Sequence, residues 1–329
     1  MDYLLEVKNL TIKFFTKEGT IHAVNKVSFK LGKGEILGIV GESGSGKSVS
    51  MLGILGLIKG PQGKVIDGEI VFDGQDLMKM SDAKLREIRG KHVAMVFQDP
   101  MSSLNPVLKI KDQIGEVLKT HLRMDKVTAK KRTIELLDKV GIPSPSKRID
   151  DYPHQFSGGM RQRVMIAMAL ACEPQILIAD EPTTALDVTI QSQIVDLIKD
   201  LQNELKMSVI WITHDLSLLA RIAKRINVMY AGSIIETADI KEIYSEPKHP
   251  YTIGLIRSIP RLDEVRSREL FSIEGLPPDL LEESQHCLFA PRCKNVINKC
   301  WEEKPNLLKT NSSTHFSSCY RWEETSTLI

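Results

Sequence analysis

"GEILGIVGESGSGKSVSMLGILGLI", residues 34–58, reads as a buried strand, a glycine-rich turn and a helix in one run. Its middle, residues 41–48, fits the spacing G-x-x-x-x-G-K-[ST], placed where that pattern carries chemistry, after a strand and before a helix. Gly41, Gly44 and Gly46, with Ser43 among them, let the backbone turn its amides onto phosphate oxygens. Lys47 sets a point charge against the outer phosphates, and the Ser48 hydroxyl suits Mg²⁺. The helix that begins there adds the positive end of its dipole.

Outward from this stretch, "EVKNLTIKFF" and "AVNKVSFKL" alternate apolar and polar residues as strands do, and "GEIVFDG" is a third such piece. They predict antiparallel strands around the phosphate loop. From about residue 81 to 140 the pattern is mostly helical, until "GIPSPSKRIDDYPHQ" breaks it with prolines. A helix ("GGMRQRVMIAMALAC"), an apolar strand ("QILIAD"), a helix ("TIQSQIVDLIKDLQNEL") and another apolar strand ("MSVIWITHD") follow. Continuous apolar strands alternating with helices predict an α/β fold whose parallel sheet is covered on both faces. After Tyr244 proline and cysteine become frequent and long periodic segments stop, which places a boundary near residue 245.

The chain has 329 residues, 26% charged and 42% hydrophobic, with a formal net charge of +2. That is ordinary globular composition and gives no pull toward nucleic acid. "MDYLLEVKNLTIKF" lacks the pattern of a secretory signal, and "VSMLGILGLIKG" is too short to span a bilayer. The expectation is a cytosolic chain, where structural disulfides are disfavoured.

"ILIADEP" supplies the chemistry that complements the loop. An apolar strand ending in Asp180 and Glu181 delivers two carboxylates at the carboxyl edge of a parallel sheet, where ligands of such sheets bind. Asp180 is placed to hold Mg²⁺ through water, and Glu181 to take a proton from an attacking water. In "FSGGMRQR", Ser157 stands at a helix N-cap followed by Gly158 and Gly159, a second anion-binding helix end. A second such end in one chain points to a nucleotide held elsewhere, as in a head-to-tail dimer.

The ordered set "GESGSGKS", "VFQDP" with Gln98, "FSGGM", "ILIADEP", "TALD" with Asp187 and "WITHD" with His214 resembles the ATPase of the ATP-binding cassette family. The resemblance implies a P-loop NTPase, with a RecA-like core, an antiparallel β subdomain and a helical subdomain at about residues 99–165, all within residues 1–245. It implies that Gln98 senses Mg²⁺ and the attacking water, and that His214 holds the γ-phosphate and orients Glu181. It also implies that Ser157, Gly158 and Gly159 touch the opposite subunit's γ-phosphate, that Asp187 lies at the dimer seam, and that Phe14 stacks on adenine, with Phe15 as the rival because alternation points only one inward. Phe156 and Met160 depart from the family's commoner Leu and Gln. A soluble cassette acting on DNA or ribosomes is the alternative; the long coiled coil, zinc insertion or second cassette of such proteins is not in this sequence.

"KHPYT", "IRSIPRL", "EGLPPDL" and "CLFAPRC" resemble the D-type ATPase subunits of dipeptide and oligopeptide uptake systems, though systems for nickel and other small solutes share these segments. That branch implies a second ATPase subunit, sister or identical, two permeases and a solute-binding protein, with the chain peripheral on the cytoplasmic face of the membrane. Residues 99–118 are the candidate docking surface for a permease helix, while Met95, Met101, Met160, Met165 and Met168 read as core filler.

Residues 246–329 are expected to form a small irregular domain that holds Cys287, Cys293, Cys300 and Cys319. The tight C-x₂₋₄-C pairs of zinc sites are missing, whereas thiolates on loops can wrap an iron–sulfur cluster. The branch resemblance favours [4Fe-4S]. Zinc, with His286 or His315 as a substitute ligand, and reduced cysteines or a regulatory disulfide stay open, while Cys172 reads as a small buried hydrophobe.

Overall fold

The computed structural model describes residues 3–184, 186–259, 272–281 and 283–325. Ala185 of "TALD" and the last three residues of "IRSIPRL" lie outside them. The chain divides into two compact units, one of Met1–Leu31, Ile36–Met78 and Ile212–Ile329, the other of Gly32–Glu35 and Lys79–Trp211.

In the first unit the expected antiparallel strands form one sheet, in the order Thr20–Gly32, Tyr3–Phe15, Gly63–Phe72, Gln75–Asp76. Tyr3–Phe15 pairs antiparallel with Gly63–Phe72, and the register slips between Lys8 and Ile12. Gly68 sits at that slip with a φ of 130°, and a Cβ there would meet the Leu10 Cα at 2.9 Å, so only glycine fits the bulge. A second run of strands orders as Leu308–Lys309, Phe316–Ser317, Ser233–Asp239, Arg225–Tyr230, Ile36–Val40. Ile36–Val40 is parallel to Arg225–Tyr230, and all five of its residues are buried. A short hairpin from the cysteine-bearing tail extends this run, because Phe316–Ser317 pairs antiparallel with Ser233–Asp239.

The second unit carries Ile176–Asp180 and Val93–Val96, with residues 208–211 of the strand Ser208–Thr213 ahead of them in the order. Ile176–Asp180 is wholly buried and parallel to Val93–Val96. The latter strand interrupts the stretch expected to be helical; four residues are too few for periodicity to reveal. Around these strands stand the helices Ile110–Leu122, Lys126–Lys139, Gly158–Ala169 and Val188–Leu205. Asp125 starts the second of them by accepting from the Val127 and Thr128 amides.

What ties the tail into the first unit is a buried carboxylate. Glu236 is fully buried on Ser233–Asp239, and its oxygens accept from the Lys248 amide at 2.5 Å and the His249 amide at 3.0 Å. The His315 imidazole Nε2 lies 2.6 Å from the same carboxylate. "KHPYT" is thus read structurally: two of its amides answer Glu236, and His249 then caps the helix Pro250–Arg257, its Nδ1 accepting from the Tyr251 amide at 3.1 Å. Burial pushes the His249 pKa down to about 3, so the ring is neutral and free to accept.

Glu236→Ala leaves these buried donors unanswered and should cost about 3–5 kcal/mol of stability, read by denaturant unfolding, with the tail becoming the first site of limited proteolysis. His249 predicts a pH dependence of definite sign. Its folded pKa lies below the ordinary 6.5, so its contribution is complete above that pH and is lost as pH falls toward the folded value, by about 1.4 kcal/mol per pH unit. His249→Asn, which keeps a capping acceptor, should flatten the stability–pH curve across that window; an unchanged slope would show that His249 titrates normally.

Candidate functional site

The phosphate loop belongs to the first unit. Gly41 ends the buried strand Ile36–Val40, and a Cβ there would lie 2.1 Å from the Met229 carbonyl oxygen. Gly46 has a φ of 95°, and its Cβ would meet the Ala23 carbonyl at 2.5 Å, so both positions exclude any side chain. The loop is further pinned by the Gly232 amide on the Ser45 carbonyl at 3.0 Å. Ser43 and Gly44 are exposed at its crest.

Lys47 opens the helix Lys47–Ile54, which has no side-chain cap, and is 5% exposed. Its ammonium donates to the carbonyls of Gly41 at 2.7 Å and Glu42 at 2.9 Å, curling the charge back across the loop. Ser48 is half-buried on the next position. A loop of amides, a lysine drawn over them and a helix start together suit an anionic phosphate chain. His214 is exposed beyond Ser208–Thr213, ahead of the helix Leu216–Ile222 that Asp215 caps. Phe14 is half-buried against Gly63, whose Cβ would meet the ring at 2.8 Å, while Phe15 is 40% exposed with the Lys64 ammonium 5.8 Å from its centroid.

The carboxylate edge belongs to the second unit. Val96 pairs with Ala179, so the two parallel strands deliver Gln98 and Glu181 from the same edge. Gln98 Nε2 donates to Glu181 Oε2 at 3.2 Å, and the Thr184 hydroxyl donates to the same oxygen at 2.8 Å. Thr184 was not singled out in the sequence; a hydroxyl three residues past the second acid of "ADEPTT" was the available signal. Glu181 itself has a φ of 45°, a left-handed conformation that costs a non-glycine residue about 1–3 kcal/mol and concentrates at functional sites. Asp180, one residue earlier, is 6% exposed.

Also in the second unit, Ser157 caps Gly158–Ala169 by accepting from the Met160 amide, and Asp187 caps Val188–Leu205 by accepting from the Thr189 and Ile190 amides, each at 3.0 Å. The two helix starts are packed together: a Cβ on Gly159 would meet Ile190 at 2.8 Å. Ser157, Gly158, Gly159 and Asp187 therefore share one surface. Phe156 in place of leucine is an anchor, 3% exposed with the Arg148 guanidinium 5.5 Å from its ring centroid. A cleft of about 590 Å³ opens beside Phe97, lined by Met95, Met165, Met168, Val117 and His121. Of the five methionines read as core filler, Met165 is buried in the core, Met95, Met168 and Met160 are half-buried, the first two on the wall of this groove, and Met101 is half exposed.

Cys287, Cys293, Cys300 and Cys319 are free, half-buried thiols, and among the described residues no group of three or more His, Cys, Asp or Glu is close enough to hold a metal ion. The local backbone is set by its own turns, such as the Cys287 amide on the Cys300 carbonyl at 2.9 Å. Burial pushes the Cys287 thiol up to about 11, with Cys300 and Cys293 adding to the shift, and Cys319 up to about 12, with Cys293, Cys287 and Cys300 adding. The four sulfurs therefore feel one another, yet these two are protonated at neutral pH. His315 is engaged by Glu236, and His286 stands 5.9 Å from the Trp301 ring. Cys172 is half-buried, and burial raises its thiol.

Residues 24–184 match the family described as ABC transporter, and residues 235–300 that described as Oligopeptide/dipeptide transporter, C-terminal region. The chain is 52% identical over 313 residues to the oligopeptide transport ATP-binding protein OppD of Bacillus subtilis, covering 95% of this chain and 87% of that one. It is 49% identical over 304 residues to the dipeptide transport ATP-binding protein DppD of Escherichia coli, covering 92% of each. Among solved structures, the dimeric ATP-binding cassette MJ0796 bound to ADP and Pi matches with a TM-score of 0.64 and 32% identity, over 72% of this chain and 98% of that one. The cbiO1 protein of Clostridium perfringens, part of the ABC transporter complex cbiONQ, matches with a TM-score of 0.63 and 29% identity, over 78% and 96%. With about half its residues identical to such relatives along nearly its full length, the chain belongs to the ABC transporter family, among the oligopeptide and dipeptide transport ATP-binding proteins.

Proposed function

We propose that the chain is the ATP-hydrolysing subunit of an importer for dipeptides and oligopeptides, peripheral on the cytoplasmic face of the membrane. The observation that carries the enzymatic part is Glu181, held in a left-handed conformation with one carboxylate oxygen fixed by Gln98 and Thr184. A carboxylate held in this way at a strand end suits taking a proton from water, the task of a general base. Lys47 and the amides of residues 41–46 bind the outer phosphates, while Ser48, Gln98 and Asp180 hold Mg²⁺. His214 positions the γ-phosphate, and Phe14 or Phe15 covers the adenine.

The surface shared by Ser157, Gly158, Gly159 and Asp187 serves a nucleotide on a second ATPase subunit, identical or sister, in a head-to-tail pair. What supports this is its construction: two helix starts packed edge to edge, with glycine where a side chain would obstruct approach. The methionine-walled cleft beside Phe97 and residues 99–118 receives a cytoplasmic helix of a permease. Its deformable thioethers suit an apolar helical partner, and its place next to Gln98 links docking to the base. Closure of the ATPase pair on two ATP molecules and reopening after hydrolysis drive two permeases, which a solute-binding protein supplies. Residues 1–245 are the cassette, with its helical subdomain near 99–165, and residues 246–329 a regulatory or structural addition.

We further propose that Cys287, Cys293, Cys300 and Cys319 hold a [4Fe-4S] cluster. The support is chemical: four thiols within electrostatic reach of one another, in a segment with few apolar runs to build a core. Binding has to displace protons from thiols whose pKa burial has raised, so cluster uptake is favoured by higher pH. The cluster supplies a covalent staple for the tail.

Glu181→Gln should bind ATP as well as the parent chain, lose steady-state hydrolysis by about 10²–10⁴-fold, and accumulate as an ATP-dependent dimer in size-exclusion chromatography. Undiminished turnover by that variant would remove Glu181 from the role of base. Protein prepared without oxygen should contain iron and acid-labile sulfide and absorb in the visible, and Cys293→Ser should lose both. A colourless, iron-free preparation excludes the cluster.

A further inference from the structure

The phosphate loop contains one acidic residue, Glu42, and the tail holds it. Arg292, the arginine of "CLFAPRC", sends its guanidinium fork onto the Glu42 carboxylate, Nη1 to Oε2 at 2.7 Å and Nη2 to Oε1 at 3.0 Å. Its other three N–H groups are also used. Nε donates to the Glu274 carbonyl at 3.0 Å, Nη2 to the Ile273 carbonyl at 3.1 Å, and Nη1 to the Tyr230 hydroxyl at 3.4 Å. A guanidinium has five N–H donors, so every one of them is matched and the fork has a single orientation. The side chain is 4% exposed, against 29% for Glu42, so water does little to screen the pair from the arginine side.

The grip on Glu42 is double. Its amide donates to the hydroxyl of Tyr251, the tyrosine of "KHPYT", at 2.8 Å. Its carbonyl accepts from the Lys47 ammonium at 2.9 Å. The residue that the tail clamps by side chain and backbone is therefore the one that receives the phosphate-binding lysine. A bidentate pair of this kind fixes direction as well as distance, which lysine, a point charge without a fork, cannot reproduce.

We propose that Arg292 is a positioning residue for nucleotide binding: by fixing Glu42 it holds the phosphate loop, with Lys47, in the geometry that receives a nucleotide's phosphates. The cysteine-bearing tail thereby sets the ATP affinity of the cassette. This rests on the reading of residues 41–48 as the nucleotide site. A staple that only fastens the tail would alter melting temperature without altering ATP affinity.

The test uses the full chain. Arg292→Lys, Glu42→Gln and the double variant are compared by calorimetric titration with ATP and by steady-state hydrolysis, with melting curves confirming that each is folded at the assay temperature. The expected result is an ATP Kd and KM raised about tenfold in each single variant, kcat within about twofold of the parent, and a double variant no weaker than the weaker single. Because Glu42 is partly exposed, Glu42→Gln stays folded even where Arg292→Lys does not. ATP affinity within about twofold of the parent in folded Glu42→Gln, or effects that multiply in the double variant, overturns the proposal. Lys47→Ala is measured alongside. If it binds ATP normally, the reading of the loop falls and the clamp with it; if it loses ATP while the clamp variants do not, only the clamp falls.

Discussion

A carboxylate taken fully out of water has to be answered by donors, and in this chain the answer to Glu236 ties the described residues beyond Ser233–Asp239 to that strand. The two amides that reach it come from Lys248 and His249, and the imidazole from His315, so one side chain on Ser233–Asp239 collects both ends of the described tail. The next steps follow from that anchor. His249 is placed to cap Pro250–Arg257, which brings Tyr251 against Tyr230 and Phe289, with ring centroids 4.7 and 5.6 Å away. The aromatic cluster fixes the segment on which Arg292 is borne. A tail with little core of its own is thus built outward from a single buried charge, where a larger domain would use apolar area.

The phosphate loop and the carboxylate edge, each in its own unit, use a different constraint, the carboxyl end of a buried parallel strand. Ile36–Val40 and Ile176–Asp180 are buried at every residue, so neither can offer a side chain to solvent until the strand ends. At one end the chain turns through Gly41 into a ring of amides; at the other it turns through Glu181 with a positive φ. Glycine relieves the strain in the first turn. In the second the strain is retained, because a glutamate has to stand there, and Gln98 and Thr184 hold its carboxylate in place.

Sequence reading recovered what regular patterns encode. The phosphate loop, the apolar strands and the capped helices at Ser157 and Asp187 depend on local rules of spacing and burial, and each is found where those rules put it. The strand Val93–Val96 was hidden because four residues carry no period. The groove beside Met95 and Met168 was hidden for another reason: methionine packs a core, as Met165 does, and lines a cleft equally well, and only the positions of neighbouring helices decide which. Tyr251 and Arg292 act across separations that no motif spacing expresses; Arg292 and Glu42 lie 250 positions apart.

The cysteines show the same limit from the opposite side. Their spacing was distinctive, yet spacing alone does not say how far apart the sulfurs stand; the turns that link them set that, and those turns are satisfied by their own backbone hydrogen bonds. Buried thiols with raised pKa are poor ligands until a metal ion competes for their protons, so a metal in this tail has to be bound against the preference of its surroundings. Arg292 stands next to Cys293 in the chain and is tied to the phosphate loop by its fork. Whatever orders the cysteine segment therefore also orders the arginine, and the arginine's one mechanical connection beyond the tail, among its described hydrogen bonds, runs through Glu42 and Tyr230. A change of state at the sulfurs has a short path, one peptide bond and one bidentate ion pair, to the residue that receives Lys47, which makes the cysteine segment a structural neighbour of the phosphate loop despite its distance in sequence.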